Sequence, residues 1–510
     1  MNLSKLKNTI LILISISFGL IATLVNYSFG NNDQIEQLPI IYRFIDSSYL
    51  VNDFFVNSND GYSPRYFYTS IIVFLSKFAS IPTLFFLGTI ISNGTVSLLT
   101  FLTARKLFKT TFSGIIAAAL VMVLPTIALG SSYFLYSTQL TPTTIVFPLI
   151  LLSFYFLIHK KLILSLLVTG VISIIHVLIG FEFGLLFLGI SILMDYKEKR
   201  NLKLMFGKIG LGLGILIFLL PNLIPYYSIN SEIEATVFIE ILANFRHPHH
   251  YVLSSILNGF EIIKLLLFIS LFIILFYSWK KRALDQFHLI QIKTIAIILI
   301  ITTLISWIFT ELIPSKLIVS LQLLRLLDLL KWFTILLLAN SITHWCLQKK
   351  MFPKFKILSI IFLLVLVSYK SIIYSNKNST YLEFMILETS KSDISNYIKE
   401  NTPKKSLFLT PHDFGFIRVY SKRAIVVDYK AFPFQNAAMQ EWYQRIENCY
   451  GLDKDNFEKN YHQISNEKMM ILHKKYGFEY AILHIDTPTK VSVLYKNNKY
   501  KIVDLTKNVQ

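Results

Sequence analysis

Long apolar runs separated by short basic clusters are the feature of this sequence that most restricts its fold. A helix needs about 20 apolar residues to cross the hydrocarbon core of a bilayer. Candidate spans, of which the sixth is short, cover about 8–27, 82–104, 111–129, 141–158, 162–179, 181–196, 209–228, 253–279, 288–311, 317–346 and 357–374. The sequence therefore predicts a polytopic α-helical membrane protein with about 11 spans. Residues 66–80 resemble an interfacial or half-buried helix more than a span.

Composition agrees with a membrane location and argues against a nucleic-acid partner. Charged residues make up 15% of the chain, against about 25% in soluble domains, and the mean hydropathy is +0.55. The net charge of +19 comes from Lys and Arg clusters between apolar runs, which is a topogenic pattern rather than a nucleic-acid stripe. Cys346 and Cys449 are too few for a disulfide framework or a thiolate metal site.

The positive-inside rule orients the chain. With a cytoplasmic N-terminus, the alternate loops that would face the cytoplasm are all basic, with Arg105, Lys106, Lys109, Lys160, Lys161, Lys197, Lys199, Arg200, Lys203, Lys208, Lys280, Lys281, Arg282, Lys349, Lys350, Lys354 and Lys356. The first apolar run is too long for a signal peptide and no small-residue cleavage site follows it, so it is predicted to remain as the first helix. An odd number of spans places the C-terminus on the outer, extracytoplasmic side of the cytoplasmic (inner) membrane.

Two domains are predicted, with the boundary near 375/376. The multi-pass domain, residues 1–375, includes an acidic outside loop at 28–65 and a second outside loop at 229–251. In residues 376–510, helices are expected at 392–400, 437–447 and 456–475, and short buried strands at 406–410, 424–428 and 480–485. Strands that alternate with helices predict a small extracytoplasmic α/β domain.

Acidic residues of the first outside loop are the first candidates for chemistry. Asp33 lies about six residues beyond the first span, and a helix here would place Glu36 and Gln37 on the same face. A carboxylate close to the membrane surface can act as a general base or hold a divalent cation that bridges a phosphate. Asp53 is a second acid, flanked by apolar residues. The alternative is a solvated acidic loop without a function of its own.

A basic segment, Arg246-His247-Pro248-His249-His250, ends the second outside loop. Pro248 disfavours helix at His247, so an extended or turned conformation is expected just before the next span. The imidazoles and the guanidinium would suit a phosphate or diphosphate at the membrane surface. A metal site is less favoured because adjacent histidines diverge in an extended chain. The remaining alternative is an interfacial histidine cluster at a helix start.

Ionisable residues inside apolar runs are costly and therefore informative. His176 and Glu182 flank the turn between two spans. Arg325, Asp328 and Lys331 follow one another at three-residue spacing, so Arg325 either forms an ion pair with Asp328 or, like Lys331, faces a cavity and contacts a lipid-linked phosphate. The sequence contains no Walker A, GxSxG, HExxH or paired CxxC motif, which argues against an ATP-driven transporter or a zinc hydrolase.

The arrangement resembles the GT-C glycosyltransferase superfamily, which includes protein O-mannosyltransferases, oligosaccharyltransferases and aminoarabinose transferases. The shared features are a first helix, an acidic first outside loop, many spans and an outside α/β domain. In the C-terminal part, Ile398-Lys-Glu-Asn-Thr-Pro403, Tyr420-Ser-Lys-Arg423 and Lys475-Tyr-Gly-Phe-Glu-Tyr-Ala-Ile-Leu483 are similar to segments of many uncharacterised bacterial proteins of this type. The resemblance covers nearly the whole chain in architecture, whereas its motifs are loose.

The resemblance implies transfer of a sugar from a polyprenyl-phosphate carrier, a membrane lipid, to an acceptor on the outer face. Asp33 matches the first-loop catalytic acid by position, as general base or as ligand of a divalent cation such as Mg²⁺ or Mn²⁺, and Asp53 is a weaker match to a second acid. On chemical grounds, Glu36, Arg246, His247, His249, His250 and Arg325 are predicted to bind the substrate. The alternatives are a non-catalytic binder or transporter of lipid-linked glycans and a purely structural membrane protein.

Overall fold

The computed structural model describes residues 3–127, 130, 134–199, 202–229, 232–257, 259–281, 285–348, 361–362, 365–369 and 380–506. The predicted span 357–374 lies largely outside the described residues. The chain divides into two compact units. The first unit comprises Met1–Tyr27, Phe85–Ile224 and Glu234–Lys377, and the second comprises Ser28–Leu84, Pro225–Ile233 and Asn378–Gln510. The first outside loop thus belongs to the same unit as the C-terminal α/β domain.

Helices dominate residues 3–348. Their bounds are Leu3–Asn26, Gln34–Ile45, Phe54–Asn57, Tyr66–Leu75, Ile81–Phe108, Thr111–Val123, Pro142–Ile158, Leu162–Ile175, Val177–Lys199, Leu202–Ile215, Leu220–Ile229, Ala235–Ile239, Pro248–Tyr251, Leu253–Ile256, Phe260–Lys280, Gln286–Trp307, Lys316–Leu321 and Leu327–Gln348. Short 3₁₀ turns cover Leu216–Leu219 and Leu323–Leu326, and π-helical turns cover Glu240–Arg246 and Ile308–Leu312.

Length and apolar composition identify the helices that can cross a bilayer. Within the described residues, six qualify, at Asn8–Asn26, Ile81–Phe108, Val177–Tyr196, Lys203–Ile229, Phe260–Lys280 and Gln286–Leu312. Shorter apolar helices cover Tyr66–Leu75, Thr111–Val123, Pro142–Ile158 and Leu162–Ile175. Together with the C-terminal sheet, these helices confirm the predicted class of a multi-pass α-helical membrane protein with a small α/β domain.

Polar side chains hold the helices of the first unit together at close range. The Ser97 hydroxyl donates to the carbonyl oxygen of Ser15 at 2.6 Å, and the Trp332 indole donates to the Thr100 hydroxyl at 2.9 Å. Lys331 is fully buried, and its ammonium group is 2.8 Å from the Asp328 carboxylate. In an apolar environment every such group needs a partner, and small polar residues at helix contacts supply it. These contacts satisfy the interior polar groups that form them within the unit.

The second unit contains a five-stranded sheet within its described residues. The strands are β1 (Leu407–Leu409), β2 (Ala424–Ile425), β3 (Tyr480–His484), β4 (Ser492–Lys496) and β5 (Tyr500–Asp504), in the order β2-β1-β3-β5-β4. Strands β2, β1 and β3 run parallel, whereas β5 pairs antiparallel with β3 and β4. Helices Thr389–Asn401, Ile417–Tyr420, Asn436–Tyr450, Phe457–His462 and Asn466–Tyr476 and the 3₁₀ turn Lys454–Asn456 complete it.

Apolar side chains join the first outside loop to the α/β domain inside this unit. One core contains Phe408, Ile425 and Ile482 from three strands, with Ile35 of the loop packed against it. A second cluster joins Phe55 and its neighbours in the loop to Ala431. Burial of these side chains fixes the helix that begins at Gln34, and hence the position of Asp33 in front of it.

Candidate functional site

The predicted basic segment forms a compact turn in the first unit. The π-helical turn Glu240–Arg246 ends at His247, which has φ −127° and ψ 45°, and Pro248 begins a four-residue helix. Proline suits this first helical position because its fixed φ is already helical and its missing N–H has no partner to lose. The chain is therefore turned and not extended, and π-helical turns of this kind occur frequently at functional sites.

The turn brings three histidines together. The ring centroids of His249 and His250 are 4.1 Å apart, and His247 is 5.8 Å from His250. One nitrogen of each ring lies within 4.8 Å of the others. The expectation that His249 and His250 diverge was wrong, because it assumed an extended chain and the short helix Pro248–Tyr251 turns both rings to one side.

Burial controls the charge of this cluster. The pKa of His247 is held well below its usual value by burial, followed by the nearby Arg246 guanidinium and the other histidines. The pKa of His250 is lowered in the same way by burial and then by Arg325, despite a hydrogen bond to the backbone of Gly130. Both imidazoles are therefore neutral at pH 7, and Arg246 and Arg325 supply the positive charge.

Arg325 is presented by an irregular segment. The helix Lys316–Leu321 ends at Gln322, whose φ of +54° is left-handed, and a 3₁₀ turn then contains Arg325. A Cβ on Gly130 would lie 2.3 Å from the carbonyl oxygen of Leu324, so only glycine allows this close backbone approach. The Arg325 guanidinium lies 3.1 Å from Nε2 of His176, while Asp328 pairs with Lys331.

Glu182, Tyr251 and Gln322 complete this neighbourhood but were not predicted as site residues. Glu182 is 6% exposed, and neither of its carboxylate oxygens has a hydrogen-bond partner in the described part of the chain. The amide of Gln322 donates to the buried Tyr251 hydroxyl, and Arg325 and Glu182 are both close enough to act on Tyr251 electrostatically. Glu182 already stood out as an acid near the start of an apolar run, whereas Gln322 gave only the weak signal of one amide among leucines.

The arrangement can bind an anion or, with a change in ligand geometry, a transition metal. Two guanidinium groups beside neutral imidazole N–H donors match the oxygens of a phosphate. Nitrogen ligands suit Zn²⁺ and similar ions, whereas Mg²⁺ and Mn²⁺ prefer oxygen. Within the described residues, His247, His249 and His250 form the one group of three or more clustered metal-ligand side chains. The predicted Mg²⁺ or Mn²⁺ stays a prediction, and these histidines are poor ligands for it.

Asp33 lies in the second unit, immediately before the helix Gln34–Ile45. Its side chain is half-exposed, and one carboxylate oxygen is 3.1 Å from Nζ of Lys430. Glu36 and Gln37, predicted to share its face, are buried, and Glu36 accepts a 2.8 Å hydrogen bond from Arg65. Of these three side chains, Asp33 is thus the one that solvent and a substrate can reach.

Asp53 is placed differently from its predicted catalytic role. It is fully buried, its Oδ1 accepts from the Val56 backbone N–H at 3.0 Å, and its Oδ2 accepts from Arg418 at 2.7 Å and from Ile425 at 3.0 Å. Arg418 is also bonded to Asp428. With both oxygens occupied inside the protein, Asp53 is a structural anchor in this geometry, because loop packing encloses it.

Comparisons with known proteins give a small number of findings. The model of a domain of unknown function, DUF6798, matches residues 390–449. No curated protein matches the chain. A crystal structure of ArnT from Cupriavidus metallidurans bound to undecaprenyl phosphate is 11% identical at a TM-score of 0.49, with 97% of each chain covered. The apo structure of the same protein is 11% identical at a TM-score of 0.41, with 98% of each chain covered.

These similarities are too distant to carry an argument about this chain. At 11% identity and TM-scores below 0.5, they assign neither an activity nor a site residue to this chain. Its function has to be argued from its own side chains.

Proposed function

We propose that this protein is a membrane glycosyltransferase that moves a sugar from a polyprenyl-phosphate carrier to an acceptor on the outer face of the membrane. The observation that carries the proposal is the grouping of Arg246 and Arg325 around His247 and His250. The two arginines are half-buried and lie beside two imidazoles, His247 and His250, whose pKa values are lowered by burial. A lipid-linked phosphate brings the charge that such a site needs and the apolar chain that a multi-pass protein can accommodate.

In the proposed reaction, each group has one task. The acceptor oxygen attacks the anomeric carbon of the sugar, and the bond from that carbon to the phosphate oxygen breaks. The electron pair leaves with the lipid phosphate, whose growing charge Arg246 and Arg325 stabilise, with N–H donors from His247, His249 and His250. Asp33 takes the proton that the acceptor hydroxyl loses. Glu36 is bonded to Arg65 and enters the proposal as support for the helix behind Asp33.

The test is a transfer assay in membranes with a panel of undecaprenyl-phosphate-linked sugars, comparing wild type with Asp33→Asn at matched expression. We expect sugar transfer by wild type and a loss of at least 100-fold in Asp33→Asn, which is within the usual contribution of a general base. Asp46→Asn is the matched control, because Asp46 is an exposed acid of the same loop whose carboxylate bonds Ser48. Equal transfer by Asp33→Asn and wild type would contradict the assignment of Asp33.

A non-catalytic binder or transporter of lipid-linked glycans is the second candidate. It is favoured by the ion pair of Asp33 with Lys430 and by the burial of Asp53, which together leave no uncompensated exposed acid among the predicted catalytic residues. If the protein is a binder, wild type and Asp33→Asn should both bind undecaprenyl phosphate, and neither should transfer sugar. A purely structural protein would bind no lipid phosphate at all.

A further inference from the structure

Several polar atoms near Arg325 are buried without a hydrogen-bond partner among the described residues. They are both carboxylate oxygens of Glu182, Nε of Arg325, Oε1 of Gln322 and Nδ1 of His250. Arg325 acts electrostatically on Glu182, on His250 and on the Tyr251 hydroxyl that Gln322 contacts. The unpartnered atoms therefore share one neighbourhood inside the first unit.

No side chain or backbone group among the described residues satisfies these atoms. Buried polar groups nearly always have partners, and leaving a buried charged group without a hydrogen bond is costly. Two other buried side chains of this unit follow the rule, since Lys331 is bonded to Asp328 and the Asn222 amide donates to two backbone carbonyls. Glu182 is near a cation but accepts no hydrogen bond from it or from any other described residue. Such an arrangement fits a side chain whose partner arrives with a ligand.

The chemistry of the unpartnered atoms defines that ligand. Glu182 and Gln322 offer three acceptor oxygens, while Arg325 offers one donor at Nε. The ligand must therefore donate several hydrogens and accept at least one. Glu182 lies within electrostatic reach of Arg325, so a ligand that adds no charge of its own fits beside it. Neighbouring hydroxyl groups on a sugar ring meet all of these conditions, since each hydroxyl both donates and accepts.

We propose that Glu182 and Gln322 bind hydroxyl groups of the sugar carried by the lipid-linked donor, beside the phosphate held by Arg325. The inference rests on the proposed function and adds a sugar-recognition subsite to it. Arg325 lies at the junction of the two subsites, with Nη1 directed to His176 and Nε left for the ligand. Glu182 is a binding and specificity residue, and it takes no part in proton transfer.

The experiment compares two probes on the full-length protein in detergent: undecaprenyl phosphate without a sugar, and undecaprenyl-phosphate-linked glucose, mannose or galactose. The ratio of the two dissociation constants gives the contribution of the sugar to binding. Glu182→Gln keeps the shape of the side chain but turns one acceptor into a donor. We expect binding of the preferred sugar-linked lipid to weaken about 10- to 100-fold, as for a buried polar group that loses its hydrogen-bond partner. Binding of the sugar-free lipid should change less than about 2-fold.

Glu261→Gln is the matched control, because it makes the same chemical change in the same unit at a carboxylate paired with Lys264. It should alter neither constant. If Glu182→Gln folds poorly, Gln322→Met removes the other acceptor, and about a 2- to 10-fold loss confined to the sugar-linked lipid is expected.

The outcomes separate this inference from the proposed function. Equal weakening for both lipids, or no change for either, would overturn the sugar subsite while leaving the phosphate site in place. So would a wild type that binds all the sugar-linked lipids no more tightly than the sugar-free one. A wild type that binds neither kind of lipid would overturn the proposed function and the subsite together.

Discussion

Two arginines of this protein, Arg418, which is buried, and Arg325, which is half-buried, have opposite surroundings. Arg418 of the second unit is bonded to Asp53 and Asp428 and is 1% exposed, and the Phe55 ring centroid lies 5.3 Å from its guanidinium carbon. Arg325 of the first unit touches a histidine and keeps Nε without a partner among the described residues. Charge alone therefore does not separate a structural arginine from a ligand-binding one.

The difference lies in how completely the neighbours satisfy each guanidinium. Two carboxylates and their backbone donors form a closed network around Arg418, in which each partner fixes the others. The neighbours of Arg325 are imidazoles, which provide no compensating charge, and a carboxylate that accepts no hydrogen bond from it. A closed network specifies a fold, whereas an open one can take part in binding without first breaking an internal bond.

The largest loss of stability is expected when the closed network around Arg418 is broken. Arg418→Met leaves Asp53 and Asp428 buried without their cation, which typically costs about 3–5 kcal/mol of stability. The thermal unfolding midpoint of the purified protein should therefore fall sharply, or the folded yield should collapse. Lys499→Ala, which removes an exposed ion pair with Glu388, should change the midpoint little. An Arg418→Met protein as stable as the Lys499→Ala control would show that the network is not structural.

Much of the α/β domain was predictable because its signals are local. Helices predicted at 392–400 and 437–447 occur at Thr389–Asn401 and Asn436–Tyr450, and the three predicted strands occur near their expected places. The helix predicted at 456–475 is broken, because Ser465 caps a new helix by accepting from the Lys468 N–H at 3.1 Å. The hairpin of β4 and β5 was missed, since β4 is largely exposed and lacks a buried apolar run.

The candidate site was predictable in residue type but not in connectivity. The basic segment before a span, and Arg325 within one, stood out because charge is rare in apolar surroundings. The break at Gln322 could not be foreseen, since no Gly or Pro marks it. Nor could the pairing of Asp53 with a residue 365 positions away, because it depends on tertiary packing. The sequence identifies charged residues in unusual places, and only the fold shows which of them already have hydrogen-bond or ion-pair partners.

The second largest effect is expected on lipid binding, when Arg325 in the open network is replaced. Arg325→Gln should weaken binding of undecaprenyl phosphate about 10- to 100-fold, because a charge-assisted contact is lost, while the thermal midpoint falls much less than in Arg418→Met. Arg325→Lys should not restore full affinity, since an ammonium group lacks the planar fork of the guanidinium. Lys264→Gln is the control for charge in the same unit. If Arg325→Gln instead unfolds the protein as Arg418→Met does, the contrast between the two arginines is wrong.

The third effect is pH dependence in the first unit. The pKa values of His247 and His250, which lie outside the candidate spans, are lowered by burial, so the unfolded chain binds more protons below about pH 6.5. The contribution of these two histidines to the free energy of unfolding is therefore fully present above pH 6.5. It is lost as pH falls, by up to about 1.4 kcal/mol per pH unit for each histidine. Unfolding midpoints from pH 7.5 to 5 would show this, and His250→Gln should flatten the slope.

The same pKa directions predict little change in phosphate binding as pH rises from 7 to 8.5. A guanidinium group does not lose its proton in this range, and His247 and His250 are already neutral. Titration of undecaprenyl-phosphate-linked sugar, a phosphodiester of constant charge, measures this directly. A loss of affinity with a midpoint near pH 7 would mean that histidinium ions bind the phosphate, which would reverse the assignment of charge to the arginines.

The smallest effect is expected at Asp33, where the ion pair is open to solvent on both sides. The Asp33 and Lys430 side chains are 50% and 38% exposed, so the pair gains little from Coulomb attraction and contributes about 0–1 kcal/mol. The thermal unfolding midpoints of Asp33→Asn and Lys430→Met should therefore both lie within a few degrees of that of wild type. This near-neutrality makes the transfer assay interpretable, because a loss of activity in Asp33→Asn then reports on the carboxylate and not on folding. A drop in midpoint as large as that of Arg418→Met would instead place Asp33 in a structural network, and its loss of activity would no longer identify a base.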